Sequence, residues 1–399
     1  MATVAPQHRK RTPAHRAPRC WLWLAAALLL AACSPQRAIE SLEVLQAIAA
    51  GPEAQGAADV GATDTQRRPY AFTVRGRAYR ADLYLPGRPP LAALVLVPGA
   101  VRAGKDDRRF VAFARALTKG RFLVLVPEIA TLRELRVGPS DITAIGDAVE
   151  HLAGLTEAPA VGLVAISYMG GPAVIAALET RTRDLLRFVA TVGGYYDIEA
   201  ALTFFTTGYF REPGETAWRH AAPNPYGKWL FLRSNLARVE APRDRTALER
   251  IATLKLRDSA ADIAPLAAGL TPEGRTILDL MTNRDPERTP ELMSRLPSAV
   301  IQDLRRLDPA GATPADLRAK LFAIHGRDDP VIPYSESMAL AAAVGDDRAR
   351  LALVDHLAHV DLTSPSLGDL LTLWRVVYEI LELRDGMPAP RPGAMTPPA

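Results

Sequence analysis

Ala160-Val-Gly-Leu-Val-Ala-Ile-Ser167-Tyr-Met-Gly-Gly171 runs an apolar segment straight into a serine and two glycines, with Pro172-Ala-Val-Ile-Ala-Ala-Leu178 directly behind. The first seven residues offer no polar face, which suits a strand covered on both sides. The residues after the glycines are small and apolar, which suits a helix pressed closely onto that strand. A serine at such a joint stands at the carboxyl end of the strand and the amino end of the helix, where backbone amides point outward.

The same alternation extends in both directions. Residues 91–97 and 122–126 read as buried strands, and 107–119 and 140–152 as the helices between and after them. Residues 71–85 alternate around a turn at Gly76 and read as two strands. Downstream, 188–192 is another buried strand, after which the rhythm breaks at Asp197. For about 120 residues helical segments recur without a convincing buried strand. Strand and helix then return over 321–325, 335–344, 351–354 and 367–383. Parallel strands alternating with helices imply a doubly wound α/β sheet covered on both faces. The helical insertion precedes the last two strands, so it is expected to stand above their carboxyl ends as a cap.

A serine hydroxyl attacks a carbonyl only if a base takes its proton and donors hold the oxyanion. The segment Ala165-Ile-Ser167-Tyr-Met169-Gly-Gly171 resembles the nucleophile elbow of the α/β-hydrolases. It departs from their G-x-S-x-G in having Met169 at the second glycine position, with the glycines one residue later. The form Ser-Tyr-Met-Gly is similar to the Ser-Tyr-Leu-Gly elbow of the cocaine esterase and X-Pro dipeptidyl-peptidase branch. The resemblance covers roughly residues 70–383 and implies Ser167 as the nucleophile of an ester-cleaving triad.

The acid and base follow from the same resemblance. Leu321-Phe-Ala-Ile-His-Gly-Arg-Asp-Asp-Pro-Val-Ile-Pro333 is similar to the family's acid-bearing turn, which puts the carboxylate at Asp329. Asp328 is its neighbour, and Asp197 is the alternative because some branches carry the acid after the earlier strand. In Leu351-Ala-Leu-Val-Asp-His-Leu-Ala-His-Val-Asp361 two histidines are available. The family places its base several residues past the strand, which favours His359, while His356 suits a local hydrogen bond. Ser167, Asp329 and His359 stand in the family's chain order. Oxyanion donors are implied at the amides of Tyr168 and Ala100, the latter in Pro98-Gly99-Ala100-Val101 after the 91–97 strand.

Other chemistries find no support. No G-x-G-x-x-G follows a strand, and no Walker-type loop, His-Glu-x-x-His or Cys-x-x-Cys occurs, so neither a nucleotide cofactor nor a metal is implied. The net charge of +4 does not indicate nucleic acid. Arg9, Lys10, Arg11, Arg16 and Arg19 precede residue 33 with no acidic residue among them, and removing those five charges leaves −1.

That basic start leads into the apolar run 21–32, too short to span a bilayer and suited to a signal peptide. Leu30-Ala31-Ala32-Cys33 resembles the bacterial lipobox, which implies cleavage before Cys33 and lipidation of its thiol. Ser34 at the next position implies an outer-membrane address rather than inner-membrane retention. The other cysteine, Cys20, would leave with the signal. The expected organisation is a signal peptide over 1–32, a tether over 33–69 with one short helix at 38–49, a hydrolase core over 70–197 and 319–385, a helical cap over 198–318, and a disordered tail over 386–399. The expected protein is a lipid-anchored esterase of the bacterial envelope, acting on a small ester. Acyl transfer, amide cleavage and non-catalytic binding stay open, since the fold alone does not separate them. The aromatic residues of the cap, among them Phe205, Trp218 and Trp229, are expected to contact substrate only if they face the serine.

Overall fold

The computed structural model describes residues 34–58, 65–358, 361–362, 365–391 and 393. Its framework is one eight-stranded sheet: β1 (Gln66–Val74), β2 (Arg77–Leu85), β3 (Ala92–Val97), β4 (Phe122–Pro127), β5 (Val161–Ile166), β6 (Leu186–Val192), β7 (Lys320–Gly326) and β8 (Ala349–Val354). The spatial order is β1-β2-β4-β3-β5-β6-β7-β8. β1 and β2 form an antiparallel hairpin, and β2 runs antiparallel to β4; every later pairing is parallel. The hairpin turns on Arg75 and Gly76, both at positive φ, the tight two-residue turn that matches strand twist. This is the doubly wound, mostly parallel sheet expected of an α/β-hydrolase fold.

Helices cover both faces. One face packs against α3 (Pro139–Gly154) and α4 (Gly170–Leu178), with Ile145, Val149 and Leu152 buried against Val95, Leu123 and Leu163. The other carries α2 (Arg108–Lys119), whose Phe110 and Ala114 meet Leu94, Phe122 and Val164. After β7 come α5 (Ser335–Val344) and, past β8, α6 (Leu367–Asp385). The cap lies between β6 and β7, as expected. Its helices, from Ile198–Thr207 through Pro242–Arg257 to Ser298–Arg306, enclose a small core of their own around Trp229, Leu248, Ile251 and Leu278.

Two ends of the chain differ from the sequence expectation. Residues 33–69 read as a tether with a short helix at 38–49, but α1 (Pro35–Ala58) is longer and docked, broken at Gly51 (φ 61°) ahead of Pro52, and β1 starts at Gln66. Ala38, Ser41, Val44 and Leu45 are buried at helical spacing against α2 and α6. Glu40 forms a buried ion pair with Arg384 (2.6 Å), and Arg384 also donates to the Gly120 carbonyl at 2.8 Å. The tail is held further than residue 386. Met387 is buried, Pro390 bridges to Thr156, and the Arg391 amide donates to Leu155. Among the described residues no helix is long and apolar enough to cross a membrane. The apolar run 21–32 and Cys33 lie outside the described residues.

Candidate active site

Ser167 ends the central strand β5 and starts a short turn, Ser167–Met169, that leads into α4. Its φ is 57°, a left-handed conformation that costs a non-glycine residue about 1–2 kcal/mol. The surroundings explain how the position is held. Met169, the residue that departs from the family pattern, is wholly buried in the main core. The displaced glycines meet the turn after β6 instead. A Cβ on Gly170 would lie 2.9 Å from the Gly194 Cα, and one on Gly171 would lie 2.4 Å from the Tyr195 ring. The elbow helix can approach that turn only because both positions lack a side chain.

The turn after β3 closes on the serine from the other side. A Cβ on Gly99 would stand 3.3 Å from the Ser167 Cβ. Val101 N–H donates to the Gly99 carbonyl at 2.8 Å, which tightens the turn, and the Ala100 amide has no acceptor among the described residues. Tyr168 N–H stands at the start of the helical turn, where no intrahelical acceptor exists. The two amides named from sequence therefore flank the serine on adjoining segments.

Asp329 lies at the carboxyl end of the sheet, in the turn after β7, and is buried while Asp328 is exposed. Its Oδ1 accepts from the Val331 amide at 2.7 Å and the Ile332 amide at 3.1 Å, and its Oδ2 is 3.3 Å from His325 Nε2. His325 is wholly buried, with Nδ1 2.7 Å from the Ser337 hydroxyl and Nε2 3.0 Å from the Ile332 carbonyl. Sequence reasoning gave His325 no role, although it stands in the quoted His-Gly of the acid turn. Val331 and Ile332 pack with Tyr168 and Tyr195, so the acid turn and the elbow share one apolar cluster. Burial and the nearby Asp329 carboxylate push the Tyr168 phenol pKa well up.

The other acid and base candidates have local partners. Asp197 caps the first cap helix, its Oδ1 accepting from the Glu199 amide at 2.8 Å and the Ala200 amide at 3.0 Å. His356 Nδ1 is 2.9 Å from Asp369 Oδ2, the local bond expected of it. Burial works to raise the Asp369 pKa, but the Asp355 amide, His356 and Ser366 together hold it down to about 2. The segment that follows passes over the acid turn. A Cβ on Gly326 would meet the Leu357 carbonyl at 1.8 Å, so only glycine fits beneath it. Leu357–Ala358 pairs with Asp361–Leu362, and His359, which stands between them in sequence, lies outside the described residues.

A cavity of about 650 Å³ opens beside Ser167, Gly99 and Ala100. Among the described residues no cap residue lines it, so the described cap aromatics serve packing rather than this space. Phe205 sets its edge against Tyr168, Phe204 against Phe210, and Trp218 stacks beneath Arg211.

No family model matches the chain, and no curated protein matches it. Among solved structures it is similar to Est1E from Butyrivibrio proteoclasticus, with 13% identity and a TM-score of 0.43 over 80% of this chain and 99% of that one. Carboxyl esterase 2 of Tuber melanosporum gives 14% and 0.43 over 81% and 87%. An acylaminoacyl peptidase of Pyrococcus horikoshii gives 13% and 0.45 over 83% and 43%. At that level of likeness no activity or substrate passes from them to this chain. The fold rests on the strand order and connections described above.

Proposed function

We propose that the chain is a serine hydrolase that cleaves carboxylic esters, lipid-anchored in the bacterial envelope through Cys33. The observation that carries this reading is Ser167, held at positive φ between a buried strand and a helix, with the Gly99–Ala100 turn against it. A strained backbone at the mouth of a cavity is what a nucleophile elbow requires. Ser167 Oγ attacks the ester carbonyl while His359 takes its proton. Asp329, fixed by two backbone amides, orients and stabilises the imidazolium, and the amides of Ala100 and Tyr168 hold the oxyanion. The carbonyl–oxygen bond of the ester then breaks, the alcohol leaves with the proton from His359, and water releases the acid from the acyl-enzyme. The choice of His359 as base rests on the family resemblance, and Leu357, two residues before it in sequence, passes over the acid turn. The anchor is supported by the lipobox sequence that ends at Cys33, immediately before α1.

Turnover of a p-nitrophenyl ester tests the reading. Ser167→Ala and His359→Ala should each lower kcat by several orders of magnitude, whereas His356→Ala should retain most of it. An active Ser167→Ala protein would remove the reading altogether; loss in His356→Ala with full activity in His359→Ala would exchange the two histidines.

A further inference from the structure

The space next to Ser167 is not a cleft under the cap. It is an apolar trough between the sheet and the helices α1, α2 and α6. Ile166, Val192 and Ile324 line it at the level of the serine and Leu117, Val377 and Ile380 face it from the helices, whereas Val164, Ala190 and Phe188 beneath are buried. Its volume of about 650 Å³ leaves room for an alkyl chain. Among the described residues, Ser167 at one end and Asp107 and Arg109 are the only wall residues with polar side chains.

Its volume falls in the range of small-molecule sites, about 300–1,000 Å³. A wall that is apolar away from Ser167, Asp107 and Arg109 suits a hydrocarbon chain. We propose that this cavity takes the acyl chain of a medium- to long-chain carboxylic ester, with α1 as its outer wall. This assignment rests on the serine hydrolase reading and names its substrate class. The acyl side is chosen because the acyl group stays bonded to Ser167 through the intermediate, whereas the alcohol must depart before water attacks. A pocket directly beside Ser167 suits the group that stays.

The experiment is a chain-length series on the full chain: p-nitrophenyl acetate, butanoate and decanoate, with ethyl and decyl acetate to carry the alkyl chain on the alcohol side. Each methylene buried in the transition state is worth up to about fourfold in kcat/KM. The decanoate should exceed the acetate by at least about tenfold, while decyl acetate gains nothing over ethyl acetate. Ile48→Trp, which brings bulk from α1 into the trough, should lower the decanoate-to-butanoate ratio at least about tenfold. The ratio cancels any general loss of folded enzyme, and if that variant does not fold the wild-type series decides alone. Rates that fall beyond butanoate, or a gain confined to decyl acetate, overturn the acyl assignment. Labelling of Ser167 by a fluorophosphonate separates the two readings. Labelled enzyme with a flat or falling series loses the cavity assignment only; an unlabelled serine with no ester turned over loses both.

Discussion

Ser167 holds a backbone conformation that its own side chain disfavours, and the strain is balanced by contacts on three sides: Met169 in the core, Gly170 and Gly171 against the 193–195 turn, and Gly99 against the serine itself. Glu336 stores free energy in a different way. It is buried, and both the Tyr196 and Asp197 amides donate to its Oε2, at 3.0 and 2.8 Å. Burial dominates those bonds and pushes its pKa from 4.5 up to about 8. The folded protein thus keeps a proton that the unfolded chain has already lost above 4.5, so this group makes stability fall as pH rises from 4.5 to about 8. Glu336→Gln keeps an oxygen for the two amides and removes the titration. Urea midpoints should show wild type and variant alike near pH 4.5, with the variant ahead by a few kcal/mol near pH 8; parallel curves would contradict this. At this scale the sequence was informative where chemistry is local. The elbow, the acid turn and the exposure of Asp328 follow from motifs a few residues long. His325 and Glu336 were not legible, because their roles come from how the fold places partners four to 140 residues away.

The strands and helices of the core announce themselves by unbroken apolar runs and helical spacing, whereas α1 shows a short helix over 38–49 but not its docking. Its buried face is made of Ala38, Ser41, Val44 and Leu45 and includes a carboxylate, Glu40, so composition resembles a linker. What makes it a wall is tertiary: the Glu40–Arg384 pair, in which both side chains are nearly inaccessible, and contacts with α2 and α6. Removing one partner of a buried ion pair leaves an uncompensated charge and costs about 3–5 kcal/mol, whereas replacing both by apolar groups is often neutral. Arg384→Ala should therefore raise amide exchange across residues 35–50 and lower stability, and the double variant Glu40→Leu with Arg384→Met should restore much of both. Equal losses in single and double variants would show that α1 docks by its apolar contacts alone. The cavity was equally hidden in the sequence, since Ile166, Val192 and Ile324 read as ordinary core residues.

On the scale of the whole molecule, three parts meet around one edge of the sheet. The cap has a core of its own, the main sheet carries Ser167 and Asp329 at its carboxyl end, and α1 joins the stretch after Cys33 to the cavity wall. Under the lipid-anchor reading, acylation at Cys33 fixes that wall close to the membrane. Cys33→Ser should yield an uncleaved or unlipidated chain that leaves the membrane fraction, with esterase activity retained in the soluble fraction. A mutant processed and sedimented like wild type would exclude the anchor without touching the hydrolase reading. The central claim is the nucleophile, and covalent capture tests it most directly. After treatment with a fluorophosphonate, peptide mass spectrometry should find the adduct on Ser167 alone, and Ser167→Ala should take up none. An adduct on another serine, or undiminished labelling of the Ser167→Ala protein, would contradict the account.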